Sequence, residues 1–256
     1  MSVLRSAAAA FAMFSVLPVP QIDWSRNSLR WMLCAFPLVG GVIGLLCWGW
    51  AALSGWLDFP AALRGAGLTL IPVLITGGIH LDGYADTCDA LASHAAPERK
   101  REILADPHLG AFAAIHLCGY FLADFALWTA LPRYEAVPVL LMFCLSRSLS
   151  GLAIAAFPLA KDTGLAHTFA QAADKRRTCV FLAVLTLLLC AGLCLWSWEG
   201  AVMAAVALGV FVYYRKMAQT QFGGLSGDLA GWFLQTAELW MLGALVLVQY
   251  VEGKLL

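Results

Sequence analysis

The sequence predicts an all-α protein, a polytopic bundle of about seven transmembrane helices. Two observations support this prediction. First, 61% of the 256 residues are hydrophobic and only 12% are charged, whereas a soluble domain is about 25% charged. A chain with so few charges cannot cover a water-facing surface. Second, apolar runs of about 20 residues, the length that crosses a bilayer, recur along the sequence. The formal net charge of zero gives no electrostatic basis for binding nucleic acid.

The N-terminal segment resembles a signal peptide, because Arg5 precedes an apolar run. That run ends in Leu17-Pro18-Val19-Pro20 rather than in a small-residue cleavage site. We therefore expect a retained short helix that lies in the membrane interface or packs against the bundle.

The runs that follow are long and apolar enough to be membrane spans. They cover residues 31–56, 61–79, 110–131, 136–157, 179–198, 200–214 and 231–250. No soluble domain or linker separates them, so residues 1–256 are interpreted as a single integral membrane domain.

Basic residues predict the orientation of the bundle. Most lysines and arginines flank or lie in three large polar segments, residues 80–109, 158–178 and 215–230. Only Arg64, Arg133 and Lys254 fall on the opposite side. The positive-inside rule places the three segments and the N-terminus in the cytoplasm. A protein with one elaborated face is expected to have its active site at that cytoplasmic face.

An acidic cluster follows the second span. Asp82, Asp86 and Asp89 are spaced four and three residues apart, so a helix would project all three carboxylates from one face. Three negative charges repel one another and call for a cation, and hard oxygen ligands favour Mg²⁺ or Mn²⁺. Gly77 and Gly78 are expected to break the preceding span. The alternative is a solvated acidic turn with a helix cap at Asp82.

His80 and Asp106 are candidate catalytic groups near this cluster. His80 is either a general base or an interfacial histidine without a special role. Asp106 begins a helix stop, Asp106-Pro107-His108-Leu109-Gly110, and is a candidate fourth metal ligand. Residues 98–102 are interpreted as a solvated helix, although Arg101 and its basic neighbours could meet phosphates instead.

Arg147 lies within the predicted span 136–157. A charge there is costly and faces a partner or a polar cavity. Arg147 is either half of a structural ion pair, for example with Asp124 or Glu238, or a two-pronged clamp for a phosphate.

A glycine-rich loop, Phe222-Gly223-Gly224-Leu225-Ser226-Gly227-Asp228, precedes the last span. Its backbone N–H groups could hold phosphate, or the loop is a tight connecting turn. It lacks the Gly-Lys-Ser/Thr of a P-loop. Asp228 is a candidate metal ligand or helix cap.

Four segments together resemble the cobalamin synthase family of adenosylcobinamide-GDP ribazoletransferases. They are the run Gly77-Gly-Ile-His-Leu-Asp-Gly-Tyr-Ala-Asp-Thr-Cys-Asp-Ala-Leu91, the segment Leu17–Pro20, the element from Arg101 to Phe112 and the loop Phe222–Asp228. They occur in the family's order over nearly the whole chain. Cys88 departs from the pattern, which is expected to have a small residue such as alanine there.

The resemblance implies a function. Members join adenosylcobinamide-GDP to α-ribazole or α-ribazole 5′-phosphate, release GMP and require Mg²⁺ at the bacterial inner membrane, in contact with membrane lipid. It implies that Asp82, Asp86 and Asp89 bind the metal. Catalytic roles would fall to Asp82, Asp86, His80 and Asp106, and substrate binding to Arg101, Arg147, Gly223, Gly224 and Asp228. Homo-oligomerisation stays open.

Two other classes remain as alternatives. A CDP-alcohol phosphotransferase also uses an acidic motif, but its usual pattern is Asp-Gly-x-x-Ala-Arg, whereas Ala85 of this chain is followed by Asp86 rather than by arginine. A transporter would place its charges at the bilayer midplane, often within repeats. Here the aspartates sit at a predicted membrane edge and no repeat is evident.

Overall fold

The computed structural model describes residues 2–22, 24–161 and 163–255. Over these residues the regular structure is helical, apart from one isolated bridge between Leu159 and Leu225. The helices are α1 (Ser2–Phe14), α2 (Arg26–Leu29), α3 (Met32–Trp56), α4 (Ala61–Thr76), α5 (Ile79–Ala92), α6 (Pro97–Ile103), α7 (Ala111–Ala130), α8 (Ala136–Ala156), α9 (Leu165–Ala172), α10 (Lys175–Trp196), α11 (Trp198–Phe222) and α12 (Gly227–Leu255).

The predicted all-α membrane bundle is confirmed. Among the described residues, six helices are long and apolar enough to cross a membrane, namely α3, α7, α8, α10, α11 and α12. A seventh span is possible if the bent pair α4 and α5 counts as one. Helix α11 is longer than the predicted run 200–214. It continues to Phe222, and Lys100 and Arg101 of α6 donate hydrogen bonds to its last turn.

A sharp bend separates α4 from α5. Gly77 and Gly78 have φ angles of +63° and +80°, a left-handed conformation that glycine adopts at little cost. The two helices consequently meet at 96°. The predicted break at these glycines is therefore confirmed, and it turns the acidic segment away from the axis of α4.

Helix α5 crosses the start of α12 at backbone contact distance. A Cβ added at Gly83 would lie 2.7 Å from the Cα of Asp228, and one at Gly231 would lie 2.8 Å from the carbonyl oxygen of His80. Only glycines permit this approach. The crossing brings the acidic segment of α5 beside Asp228, which is more than 130 residues away along the chain.

The N-terminal helix α1 packs against α3, in agreement with one of the two predicted placements. Ala9 and Ala10 are fully buried there, and Phe14 is nearly so. The end of α1 thereby reaches the neighbourhood of α5, where it forms one wall of the candidate site.

The three polar segments converge at one end of the bundle. Lys100 donates a hydrogen bond to Gln221, and Arg101 donates one to the carbonyl oxygen of Phe222 at 3.0 Å. The backbone N–H of Ala160 donates to the carbonyl oxygen of Leu225 at 2.8 Å. Polar residues far apart in sequence are thus brought together on one face of the bundle.

Candidate active site

A cavity of about 210 Å³ lies where α1, α3, α5, α8, α9 and α12 meet. Most of its wall is apolar and includes three phenylalanines, and we call it the aromatic chamber. Its lining includes Phe14, Phe36, Phe169, His80, Ser150, Ile154, Leu234, Asp82 and Asp228. Three of the predicted site residues, His80, Asp82 and Asp228, therefore line the same cavity.

A second cavity, of about 320 Å³, adjoins the aromatic chamber and shares Gly227 and Asp228 with it. Its polar lining comprises Lys161, Thr163, His167, Ser226 and Asp228, and we call it the polar chamber. Asp82 also lines a groove on the outer side of α5. The two chambers together form a cleft that is apolar at one end and polar at the other, with the carboxylate of Asp228 between them.

In the described part of the chain, three carboxylates in or beside this cleft form no ion pair. Asp86 lies within electrostatic range of Asp82, Asp228 and Asp89. Within the described ranges, no lysine, arginine or histidine forms an ion pair with Asp82, Asp86 or Asp228. Lys161 is the basic side chain whose charge reaches Asp228. Clustered like charges raise the free energy of the empty site and favour binding of a cation.

Asp89 makes a contact that the sequence did not predict. Its carboxylate accepts a hydrogen bond from the backbone N–H of Ala113 at 3.2 Å and lies against Gly110. Asp89 therefore caps the N-terminus of α7, where a negative charge is stabilising. Of the three aspartates predicted to bind metal from one face of α5, Asp89 thus contacts α7, whereas Asp82 and Asp86 lie in or beside the cleft.

The carboxylates of the cleft suit a divalent cation only in part. No three His, Cys, Asp or Glu side chains in the described part of the chain are arranged as a complete metal site. Their donor chemistry nevertheless fits Mg²⁺, which is usually held by one or two protein carboxylates together with substrate phosphates and water. The fit is to a metal shared with a phosphate-bearing substrate.

The glycine-rich loop is a tight turn that starts α12. Gly223 ends α11 in the left-handed region, at φ +76°. The backbone of Gly224 approaches Leu159 and Ala160 so closely that an added Cβ would lie 2.6 Å from the backbone nitrogen of Ala160. Ser226 accepts a hydrogen bond from the backbone N–H of Leu229 and caps α12. The loop thereby places Asp228 in the first turn of α12, at the junction of the two chambers.

Two predicted residues lie outside the cleft. Asp106 is exposed and accepts a hydrogen bond from the backbone N–H of His108 at 3.0 Å, which lowers the pKa of its carboxyl. It closes a surface turn and is not brought to the acidic cluster. Arg101 binds the end of α11 and pairs with Glu98 at 3.3 Å, so its guanidinium supports the glycine-rich loop from outside.

Arg147 is buried in the interior and is absent from the lining of both chambers. Its side chain is 1% exposed and pairs with Glu238. Ser146 donates to the same carboxylate at 2.6 Å. This is the structural ion pair that the sequence left open, with Glu238 rather than Asp124 as the partner.

The sequence prediction missed several residues of the cleft. Ser150 and the phenylalanines of the chamber look like ordinary core positions in the sequence, so no local signal marks them. Lys161 carried a signal, since it is a basic residue in a polar loop between spans. Asp162, its neighbour in that loop, lies outside the described residues.

Comparison with known proteins places the chain among cobalamin enzymes. A family model described as cobalamin-5-phosphate synthase matches residues 6–246. A protein of Lachnoclostridium phytofermentans named adenosylcobinamide-GDP ribazoletransferase is 42% identical over 254 residues, covering 99% of this chain and 96% of the relative. Proteins with the same name from Geobacillus kaustophilus and Desulfitobacterium hafniense are each 32% identical and cover 93% and 96% of this chain and 94% and 98% of their own length. No solved structure matches the chain significantly.

Proposed function

The chain belongs to the cobalamin-5-phosphate synthase family, and from this premise we propose that it joins adenosylcobinamide-GDP to α-ribazole or α-ribazole 5′-phosphate and releases GMP. One observation connects this activity to the structure. Asp228, which forms no ion pair among the described residues, lines both the aromatic and the polar chamber, and Asp82 and Asp86 lie within electrostatic range of it. A reaction between a diphosphate and a nucleoside needs both environments beside one charged centre.

One or two of the carboxylates of Asp82, Asp86 and Asp228 would hold Mg²⁺ or Mn²⁺. The bound cation supplies neutralisation of the diphosphate and of the charge that develops on the leaving phosphate. The carboxylates need a positive partner, and a metal shared with the diphosphate needs few protein ligands. Asp89 is left out of this set because it caps α7.

The polar chamber would bind the diphosphate. Lys161 lines it as a positive charge, and the first backbone N–H groups of α12 are free of partners within the helix, as at any helix N-terminus. Ser226 and Gly227 stand at that start. These groups orient the phosphates against the carboxylates at the junction.

The transfer step uses a ribose hydroxyl of the ribazole as the nucleophile. Its oxygen forms a bond to the phosphorus that carries the cobinamide arm, and the bond from that phosphorus to the bridging diphosphate oxygen breaks. GMP leaves with the bridging oxygen. Asp82 is exposed and lines both the aromatic chamber and the outer groove. We therefore assign it as the general base that accepts the proton of the ribose hydroxyl.

The protein is a multi-pass membrane protein by its long apolar helices. We further propose that it resides in the bacterial inner membrane with its N-terminus and its cleft at the cytoplasmic face, because the basic residues concentrate at that end. Exposed apolar side chains such as Leu187 and Leu195 would face lipid.

Product analysis with purified protein tests the proposed reaction. Protein in detergent is mixed with adenosylcobinamide-GDP, α-ribazole 5′-phosphate and Mg²⁺, and mass spectrometry is used to detect adenosylcobalamin 5′-phosphate and GMP. A parallel reaction with a CDP-alcohol and a second alcohol tests the phospholipid alternative. Release of CMP in that reaction, with no corrinoid product in the first, would overturn the assignment.

A further inference from the structure

We propose that the aromatic chamber binds the flat bicyclic base of the ribazole substrate, and that His80 and Ser150 are its polar contacts. This inference rests on the proposed function and adds to it the subsite that distinguishes one substrate from the other. It gives His80 a positioning role in place of general-base catalysis.

Aromatic rings form much of the chamber wall. The rings of Phe14 and Phe36 lie 4.2 Å apart, and the imidazole of His80 lies 6.0 Å from the first and 5.7 Å from the second. Phe169 meets Phe14 edge-on at 6.0 Å. Offset and edge-to-face contacts of this kind favour a planar aromatic guest.

Two buried polar atoms in this wall lack partners. Among the described residues, neither Nε2 of His80 nor Oγ of Ser150 has a hydrogen-bond partner. The two residues are only 5% and 1% exposed. A buried polar group without a partner costs about 1–3 kcal/mol, so two such atoms on residues that line one cavity point to a ligand that satisfies them.

The chamber matches a benzimidazole in size and polarity. A cavity of about 150 Å³ holds benzene, and the chamber is about 210 Å³, which suits a somewhat larger ring system. The base of ribazole has an apolar edge and one unsubstituted ring nitrogen, which accepts a single hydrogen bond. Guanine, the other bicyclic base in the reaction, carries several donors and acceptors that this wall would leave unpaired.

The position of the chamber also fits the reaction. Asp82 and Asp228 both line it, and Asp228 also lines the adjoining polar chamber. A base held among the phenylalanines would direct its attached ribose toward these carboxylates. We assign His80 Nε2–H, which lies among the rings, as the hydrogen-bond donor to the free ring nitrogen of the base. We assign Ser150 as the hydrogen-bond partner of a ribose hydroxyl.

Binding of α-ribazole 5′-phosphate to Ser150→Ala and His80→Phe protein tests the inference by calorimetry. Each change removes one hydrogen bond, so the Kd should rise about 2- to 10-fold. Adenosylcobinamide-GDP, titrated separately, should bind with an unchanged Kd. Tyr214→Phe is the matched control. It also removes a buried hydroxyl that has no hydrogen-bond partner within the described ranges, but Tyr214 does not line the chamber.

An analogue in which C–H replaces the free ring nitrogen sharpens the test. Wild-type and Ser150→Ala protein should bind this indole riboside phosphate several-fold more weakly than the benzimidazole compound. The His80→Phe variant should not discriminate between them. If His80→Phe fails to fold, judged by thermal unfolding, Ser150→Ala alone decides through its Kd.

Three outcomes are distinguishable. Unchanged Kd values for ribazole phosphate in folded variants would overturn the inference, and so would a weakened affinity for adenosylcobinamide-GDP instead, since the chamber would then hold guanine. If wild-type protein forms no product but ribazole phosphate binds and the variants weaken it as expected, the proposed reaction fails and the subsite stands.

Discussion

Two polar regions of the bundle handle charge in opposite ways. In the interior, Arg147 and Glu238 form a buried ion pair that also engages Ser146. In the cleft, Asp82 and Asp86 gather with Asp228 without any ion pair among the described residues. The opposite charges of the interior pair neutralise each other within the protein. The like charges of the cleft require a cation that binds from outside it.

Burial separates the regions as well. The interior pair is nearly inaccessible, and Tyr120 extends the polar network there by donating to Gln235 at 2.5 Å. In the cleft, Asp82 is exposed and the other carboxylates are half-buried. A substrate can therefore reach the cleft but not the pair, although both regions looked like functional candidates in the sequence.

Metal removal should have the largest effect and should fall on the cleft alone. EDTA is expected to reduce turnover to background, because the carboxylates then lack the cation that neutralises the diphosphate. Adding Mg²⁺ in excess should restore turnover, as measured by GMP release. Full activity in EDTA would remove the metal from the proposal, and circular dichroism in EDTA serves as the control that the bundle stays folded.

Removing one half of the interior pair should destabilise the fold. Arg147→Met leaves the carboxylate of Glu238 buried without a positive partner, which is expected to cost about 3–5 kcal/mol. The measurement is unfolding of detergent-solubilised protein by denaturant. The double variant Arg147→Met, Glu238→Gln should recover most of the loss, since no charge is then buried alone. A single variant as stable as wild type would contradict the structural role.

A neutral side chain in the cleft should affect activity and spare stability. Asp82→Asn is expected to lower kcat about 100-fold or more, because the amide cannot take the proton and contributes less negative charge to the cation. Its thermal unfolding temperature should equal or exceed that of wild type, since one repulsive charge is gone. Asp106→Asn, which alters an exposed turn, is the control and should retain activity. A loss of stability in Asp82→Asn without a loss of kcat would mean that Asp82 supports the fold rather than the reaction.

The smallest effect is expected at Asp89, which belongs to the acidic motif yet acts as a cap. Asp89→Ala should reduce the free energy of unfolding by about 1 kcal/mol through loss of the cap on α7. Activity should fall far less than in Asp82→Asn. Parallel unfolding and GMP-release assays check this, and a loss of activity equal to that of Asp82→Asn would return Asp89 to the metal site.

Much of the architecture was accessible from the sequence. The apolar runs located the helices because a bilayer demands about 20 apolar residues for each span. Gly77 and Gly78 marked the bend because their freedom from a Cβ permits positive φ. The candidate partner of Arg147 was also named, since an intramembrane charge needs a partner and few acidic residues were available.

The sequence did not reveal that Asp89 of the acidic motif contacts α7 while Asp82 and Asp86 lie in or beside the cleft. Helical spacing places Asp82, Asp86 and Asp89 on one side of α5, but it does not say which neighbour each one meets. Asp89 meets the start of α7, a contact across 24 positions. The aromatic chamber likewise depends on α1, α3, α5 and α9 packing together, and no local pattern encodes that arrangement.

Hydropathy, glycine placement and motif order were enough to establish a membrane bundle, its bend and its family. These properties are local, because each depends on a few adjacent residues and on the solvent around them. The distance between helix backbones decides three other properties. It decides which carboxylates share a cavity, which carboxylate caps a helix and which described histidine lacks a hydrogen-bond partner. That distance follows from contacts between distant segments, such as Gly83 against Asp228, and it emerged only when the helices were packed in three dimensions.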